Sequence, residues 1–209
     1  MVEKNLLDNP PEKVLAMYRA VVELVRDGAD VNSMKVSDIT ARAGIGKGTA
    51  YEYFSSKEEI ITNALAFDVL SKRKELEEIV DGEGTFPEKL ERILDYIEQK
   101  FCESRTFCIL VRIGTGSYEM SEALRAEYER VHENISCGEL EEVMDRIMAQ
   151  GIAEGVIKEE NLMFRRMAFG SQMVAYAAYL MARSQGKGTE VTSAQAKKFV
   201  YKSLVKSLG

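Results

Sequence analysis

Histidine, cysteine and proline are scarce in this sequence of 209 residues, and each scarcity excludes a class of protein. A single histidine, His132, excludes metal sites built on histidine pairs within one chain, and no Gly-x-Ser-x-Gly nucleophile motif accompanies it. Three cysteines cannot all pair within the chain and have no CxxC spacing, so we expect free thiols. Three prolines and 45% hydrophobic residues indicate an ordinary globular chain. We therefore expect no enzyme, no metal site and no cofactor.

The sequence also lacks a positive net charge and a long apolar run. Its 28 basic and 34 acidic residues give a net charge of -6, so no global field steers the chain onto nucleic acid and any DNA binding must be local. The longest apolar run, from Met173 to Ala182, is about half of the ~20 residues that cross a bilayer. The amino terminus carries Glu3, Asp8 and two prolines instead of a basic and apolar signal, which predicts a cytoplasmic protein without a membrane span.

Apolar residues recur three and four positions apart along most of the chain, which predicts helices and no strand. A first helix is predicted from Glu12 to about Asp27. Two short helices, Val36 to Ala43 and Lys47 to Phe54, follow on either side of a turn at Gly44. Together they predict a helix-turn-helix head.

The remainder of the chain predicts a larger helical body. Ser56 to Glu59 has the Ser-x-x-Glu pattern of a capping box, and the helix that it opens is predicted to run toward Ile79. Further glycine pairs separate the later periodic segments. We expect an all-α fold of about nine helices, with a DNA-binding head at residues 1–65 and a regulatory and dimerisation domain at residues 66–209.

The head resembles the DNA-binding signature of the TetR family of transcriptional regulators. The resemblance lies in the segment from Val36 to Glu58, with the sequence VSDITARAGIGKGTAYEYFSSKE, and its Asp-Ile, Ala-Gly-Ile, Gly-Thr, Tyr-x-Tyr-Phe and Ser-Lys-Glu elements fall in register. It extends over roughly residues 12 to 65. The body fits the family only as an all-helical regulatory domain.

The resemblance implies that a recognition helix from about Lys47 to Tyr53 lies in the major groove of double-stranded DNA. Gly48 permits close approach of the backbone, and Lys47 and Thr49 offer groups for bases or phosphates. Lys57, at the start of the next helix, combines its charge with exposed N–H groups and suits a phosphate. The residues implied to contact DNA are Lys35, Lys47, Gly48, Thr49, Tyr51, Tyr53 and Lys57.

Two features depart from a simple basic DNA-binding surface. Glu52 places an acid on the recognition helix, where it repels phosphates unless it faces away or accepts a hydrogen bond from cytosine N4. From Ser33 to Lys57, four bases stand against two acids, a local charge of +2. Because this footprint is small, the sequence predicts that a symmetric dimer doubles it.

An alternative reading of the same residues is a phosphate-binding loop. The sequence from Gly44 to Thr49, GIGKGT, is similar to the end of such a loop and would indicate a nucleotide-using enzyme. Such a loop must follow a buried hydrophobic strand, whereas Ser37 to Arg42 is polar with helical spacing. The context therefore favours the helix-turn-helix.

The body is rich in methionine and aromatic residues, which in the TetR family enclose a pocket for a small molecule. The same residue types also form ordinary cores, so both interpretations stay open. Arg112 and His132 are the polar groups that could orient a ligand. The candidate ligand residues are Phe107, Arg112, Tyr128, His132, Met173 and Tyr176.

The last two predicted helices, near residues 162–184 and 190–208, are expected to form the dimer interface. The first is apolar nearly all round, and two such helices with their symmetry mates would form a four-helix interface. The sequence thus indicates a homodimeric regulator, favoured as a repressor, that a small-molecule effector of unknown identity releases from a palindromic operator. The alternative is a similar DNA-binding protein without a small-molecule effector, controlled by a protein partner or acting architecturally.

Overall fold

The computed structural model describes residues 6–7, 9–114, 116, 118–134, 138–158, 161–188 and 190–209. Its regular structure in these ranges is entirely helical, which confirms the predicted all-α fold with a helix-turn-helix head and a helical carboxy-terminal domain. The helices are α1 (Glu12–Arg26), α2 (Val36–Ala43), α3 (Lys47–Tyr53), α4 (Lys57–Ser71), α5 (Arg73–Asp81), α6 (Phe86–Glu103), α7 (Arg105–Gly114), α8 (Glu122–Asn134), α9 (Gly138–Ala153), α10 (Leu162–Ser184) and α11 (Ser193–Leu208).

The helix that leaves the head is shorter than the sequence indicated. It ends at Ser71, where Lys72 caps it, and α5 begins at Arg73. No glycine or proline lies in this stretch, so the sequence carries no local signal for the break. The single predicted helix toward Ile79 is therefore two helices.

The chain divides into two compact units, and the first is larger than the head. It comprises Met1–Lys72, Ser104–Leu110 and Tyr118–Cys137, so it contains α8 in addition to the four amino-terminal helices. Its core gathers around Tyr18, whose ring lies 6.1 Å from Phe54 and 5.4 Å from Phe67 between centroids. Leu124 of α8 belongs to the same core and is 2% exposed. The domain boundary predicted after residue 65 is not tested by this division and stays a prediction.

The second unit comprises Arg73–Glu103, Val111–Ser117 and Gly138–Gly209. Its buried side chains come from one stripe on each of α6, α9, α10 and α11, as helical periodicity requires. The stripes include Leu90, Ile93 and Leu94 of α6; Val143, Ile147 and Met148 of α9; Phe169, Tyr176 and Leu180 of α10; and Ala196, Val200 and Leu204 of α11. In the described ranges, no helix is long and apolar enough to span a membrane.

Candidate nucleic-acid interface and effector site

The recognition helix α3 is held by its inner side and presents its outer side to solvent. Ala50 is fully buried and Phe54, just past the helix, is 3% exposed, so these two residues anchor α3 on the core of the first unit. Gly44 has φ of 68° and makes the left-handed turn that a side chain would strain. Its position between α2 and α3 fixes the turn of the helix-turn-helix.

Three of the residues implied to contact DNA lie on the open side of α3. Lys47, Gly48 and Tyr51 are exposed, and Tyr51 retains 53% of its accessible surface. Apart from the neighbouring residues and the backbone of α3 itself, no described atom lies within 4 Å of the position that a Cβ on Gly48 would occupy, so a groove wall could approach the backbone there. Thr49 and Tyr53 are half-buried, and Tyr53 packs against the core. The side of α3 that the sequence assigned to DNA is thus available for contact.

The other two implied residues differ in their surroundings. Lys35 is exposed just before α2, and its backbone N–H donates to Asp38 Oδ2 at 3.0 Å. Lys57 is partly engaged within the protein, since its Nζ donates to the carbonyl oxygen of Asn32 at 2.8 Å and lies 3.6 Å from Glu58 Oε1. A phosphate at Lys57 would therefore share the ammonium with these oxygens.

Arg42 contributes less to the positive field of the head than its formal charge indicates. Its guanidinium donates to Asp27 Oδ2 at 2.9 Å and lies 3.5 Å from Glu23 Oε2, and both acids belong to α1 or its end. The local charge of +2 counted from Ser33 to Lys57 omitted these acids because they lie outside that segment. Lys35 and Lys47 are left as the open cations around α3.

The loop between α1 and α2 is tied to the segment that precedes α8. Asn32 Nδ2 donates to the carbonyl oxygen of Glu119 at 2.9 Å, and the Ser121 N–H donates to Asn32 Oδ1 at 2.8 Å. The Tyr118 hydroxyl donates to Asp30 Oδ1 at 2.5 Å. These contacts, which we call the Asn32 clamp, join residues more than 80 positions apart, and no motif in the sequence signals them. Because the Asn32 carbonyl also holds Lys57, the clamp is connected to the candidate DNA interface.

A buried carboxylate makes a second connection between α8 and the end of α3. Glu59 is 8% exposed, and its Oε2 accepts from both the N–H and the hydroxyl of Ser55 at 2.7 Å. Arg130 of α8 lies 3.7 Å from the other oxygen. Burial and the Glu59 charge raise the pKa of the nearby Tyr18 phenol, which therefore stays neutral. The predicted capping box forms in part, since Ser56 Oγ accepts from the Glu59 N–H at 3.1 Å while the Glu59 side chain turns to Ser55.

The candidate ligand residues fall in both units. Phe107 and Tyr128 are half-buried in the first unit, and Arg112 and Met173 are half-buried in the second. The side chain of His132 lies outside the described part of the chain. The assignment of these residues to a ligand stays a prediction.

Tyr176, the sixth ligand candidate, has protein partners for its hydroxyl. It is fully buried, and its hydroxyl donates to Glu98 Oε2 at 3.1 Å and lies 3.3 Å from Ser193 Oγ. Lys197 Nζ completes the cluster at 2.6 Å from the same carboxylate oxygen. Burial raises the pKa of Tyr176 to about 12, and hydrogen bonds from Lys197 and Ser193 lower the pKa of Glu98 although burial alone would raise it. The hydroxyl thus helps to join α10, α6 and α11.

The seam between α10 and α11 carries an apolar groove of about 490 Å³. Its lining includes Ala175, Tyr176, Tyr179, Val191, Phe199 and Val200. The large exposed hydrophobic side chains of the described residues are concentrated on the same two helices and their connection, with Tyr51 of α3 as the exception. They are Leu162, Met163, Phe164, Met167, Val174, Val191 and Phe199, and we call them the α10–α11 apolar face.

The element that precedes Gly44 contradicts the interpretation of Gly44 to Thr49 as a phosphate-binding loop. Residues Val36–Ala43 form helix α2, where that interpretation requires a buried strand. Among the described residues, no three histidine, cysteine, aspartate or glutamate side chains are grouped so as to hold a metal ion.

Comparison with known proteins gives a match for the head. Residues 29–64 match the family described as bacterial regulatory proteins, tetR family. The matched range runs from the loop before α2 into α4, so it contains every residue implied to contact DNA.

Similarity to individual proteins extends beyond the head over most of the chain. The fatty acid metabolism regulator protein of Bacillus subtilis (strain 168) is 25% identical over 161 residues, which cover 76% of this chain and 79% of that protein. The crystal structure of the transcriptional regulator FadR from Bacillus subtilis in complex with stearoyl-CoA is similar with a TM-score of 0.64 at 18% identity, covering 95% of this chain and 98% of that one. The fatty acid degradation regulator FadR from Bacillus halodurans is similar with a TM-score of 0.63 at 17% identity, covering 92% and 94% of the two chains.

Proposed function

We propose that this chain, whose residues 29–64 match the tetR family of bacterial regulatory proteins, is a dimeric repressor that a small molecule releases from a palindromic operator. The observation that carries the proposal is the exposed side of α3, where Lys47, Gly48 and Tyr51 stand open on a helix anchored by buried Ala50. A helix held in this way fits the major groove, where base edges are distinguishable.

The α10–α11 apolar face supports the dimer. Water-exposed side chains such as Phe199, 66% exposed, and Met167, 62% exposed, are unfavourable in a monomer when they are contiguous on two neighbouring helices. A second copy related by a two-fold axis would cover the same face on both chains and form a four-helix interface. We therefore propose a homodimer through α10 and α11.

A dimer also compensates for the small positive charge of each head. Each subunit offers few open cations around α3, and two subunits place two recognition helices on one duplex. Half-sites about 34 to 36 Å apart, or a related spacing, would match successive faces of the major groove. The operator is then a palindrome because the protein is symmetric.

For the effector we propose a fatty acyl thioester of coenzyme A. The support is the B. subtilis regulator, which is similar over nearly the whole chain and was crystallised with stearoyl-CoA, together with the fatty acid metabolism regulator that is similar in sequence. The half-buried Phe107 and Tyr128 of the first unit suit contact with an acyl chain. Binding would act by a population shift, favouring a separation of recognition helices that does not match the operator.

The proposal is tested by selecting DNA from a random pool with the purified protein and then titrating the selected duplex in the presence of stearoyl-CoA. We expect a palindromic sequence whose affinity falls about five- to 150-fold with ligand, and an equal fall of ligand affinity with DNA. Free coenzyme A and stearate are the controls for the two halves of the ligand. Specific DNA binding that no acyl-CoA weakens would favour the alternative regulator without a small-molecule effector.

Variants of the candidate pocket separate a ligand site from ordinary core. Tyr128→Ala and Met173→Ala should blunt the response to acyl-CoA while the affinity for DNA without ligand changes little. A joint loss of DNA binding and melting temperature in these variants would show that the two side chains are structural core. The pocket assignment would then fail while the DNA-binding assignment stands.

A further inference from the structure

Glu52 lies at the centre of the open side of α3. Successive residues of an α-helix are about 100° apart around its axis, so Gly48 and Glu52 both lie about 160° from buried Ala50. The burial pattern agrees, since Gly48 and Glu52 are exposed while Ala50 is fully buried. Since glycine has no side chain, the side chain most directly opposed to the anchor Ala50 is that of an acid.

The helix provides no cation to neutralise Glu52. Side chains three or four positions away are neighbours on a helix, and for Glu52 these positions hold Gly48, Thr49, Ser55 and Ser56. Lys47 is five positions away, outside that spacing. Within the ranges that the structure describes, the Glu52 carboxylate has no hydrogen bond or ion pair. The Glu52 charge therefore makes no described contact that stabilises the fold.

An unpaired carboxylate on this face constrains the DNA that α3 can enter. A carboxylate only accepts hydrogen bonds, and near a phosphate it is repelled by about 1 kcal/mol at 4 Å even in bulk water. In the major groove, guanine presents N7 and O6 as acceptors and thymine presents O4, which repel it. Adenine has a donor at N6 beside an acceptor at N7, whereas cytosine presents the N4 donor without an adjacent acceptor on its own edge.

We propose that Glu52 is a specificity-determining residue that accepts a hydrogen bond from N4 of one cytosine in each half-site. The inference rests on the proposed function, because it requires α3 to lie in the major groove. Gly48, one turn earlier on the same face, has no side chain and leaves room for the backbone to bring Glu52 close to the base edges. The carboxylate selects cytosine mainly by disfavouring guanine, thymine and adenine, since each of these three bases presents an acceptor that repels it.

Two substitutions at this exposed position distinguish the effect of the Glu52 charge from its recognition of a base. Glu52→Gln keeps the shape of the side chain and adds a donor, so the amide can bond to adenine N6 and N7 together, and the preferred base should change from cytosine to adenine. Glu52→Ala removes the acceptor and should lower discrimination at that position by about tenfold or more, since a base contact of 1.4 kcal/mol corresponds to a factor of ten. Neither change should move the melting temperature, because the side chain is exposed and has no described partner.

The experiment is a selection of half-site sequences with the wild type, Glu52→Gln and Glu52→Ala, followed by titration of duplexes with each of the four bases at the selected cytosine. Glu91→Gln is the matched control, because Glu91 is exposed on α6 and its substitution changes the net charge equally. A general gain in affinity from losing one negative charge should appear in the control, whereas a changed base preference should not.

The outcomes distinguish this assignment from the function on which it rests. A fixed cytosine for the wild type that Glu52→Ala relaxes and Glu52→Gln replaces by adenine supports it. Specific operator binding with the same base preferences in all three proteins overturns the role of Glu52 and leaves the proposed regulator intact. Absence of specific DNA binding by the wild type overturns both.

Discussion

At the scale of single residues, the side chains around α3 divide into those that face solvent and those that are engaged within the protein. Lys47 and Tyr51 are exposed, whereas Arg42 is paired with Asp27 and Lys57 donates to Asn32. A formal count of charges does not show this division, because pairing partners come from other helices. Predictions for individual cations must therefore start from their partners.

Lys57→Ala should weaken DNA binding to all sequences and leave base preferences unchanged. The side chain suits a phosphate, and the loss of one phosphate contact per subunit should reduce the slope of log affinity against log salt by about 0.9 for each. The measurement is a salt titration of operator and unrelated duplexes. Lys74→Ala, an exposed lysine on α5, is the control for charge alone. Unchanged affinity and salt slope would remove Lys57 from the interface.

The raised pKa of Tyr176 predicts a loss of stability at high pH. Its pKa is about 12 in the folded protein against about 10 in an unfolded chain, so the neutral phenol is favoured by folding. The free energy of unfolding contributed by this group is complete below pH 10 and falls as the pH rises from 10 toward 12. Urea unfolding at several pH values measures it. Tyr176→Phe should show a smaller decrease over this window, and an equal decrease in both proteins would contradict the assignment.

At the scale of elements, α8 is joined to the head by contacts at both ends. The Asn32 clamp lies before its first residue, and Arg130 near its carboxyl end approaches Glu59. The helix that leaves the head ends at Ser71, so it is not the continuous helix toward Ile79 that its sequence predicted. The contacts of α8 are therefore the better candidate for carrying an effector signal to α3.

Tyr118→Phe should reduce the stability of the first unit by about 1 kcal/mol, because it removes a hydroxyl that donates to the Asp30 carboxylate in a solvent-accessible position. The measurement is urea unfolding followed by circular dichroism. Tyr201→Phe is the control, since no described residue forms a hydrogen bond with the Tyr201 hydroxyl. If the clamp carries the signal, the acyl-CoA response of Tyr118→Phe should also be weaker than that of the control. Equal stability and equal response would show that the clamp is not energetically significant.

At the scale of the whole molecule, the distribution of exposed apolar residues supports the proposed dimer. Seven of the eight large exposed hydrophobic side chains in the described ranges lie on α10, α11 or their connection. This concentration, together with the groove at their seam, distinguishes the face from the scattered apolar residues of an ordinary surface.

Phe199→Ser and Ala178→Glu should convert the proposed dimer to monomers. Both positions are exposed in the single chain, so the substitutions should leave its fold intact, whereas in the dimer Ala178→Glu would bury a charge without a partner at a cost of several kcal/mol. Light scattering after size exclusion measures the mass. Ala126→Glu, an exposed alanine on α8, is the control. A dimer that persists in both variants would place the interface elsewhere.

The sequence by itself determined the helices of the head, the turn at Gly44 and the exposed side of α3. These features depend on residues close together in the chain, such as the spacing that buries Ala50 and the glycine that adopts a positive φ. Local periodicity and turn geometry are therefore enough to predict them.

Only the tertiary structure decided which side chains are available and which helices belong together. The pairing of Arg42 with α1, the clamp between Asn32 and Ser121, and the approach of Arg130 to Glu59 join positions distant in sequence. Contacts of this kind depend on how whole helices pack, and a polar residue carries no periodic signal of its partner. That is why the sequence located the recognition helix but not the network that holds it.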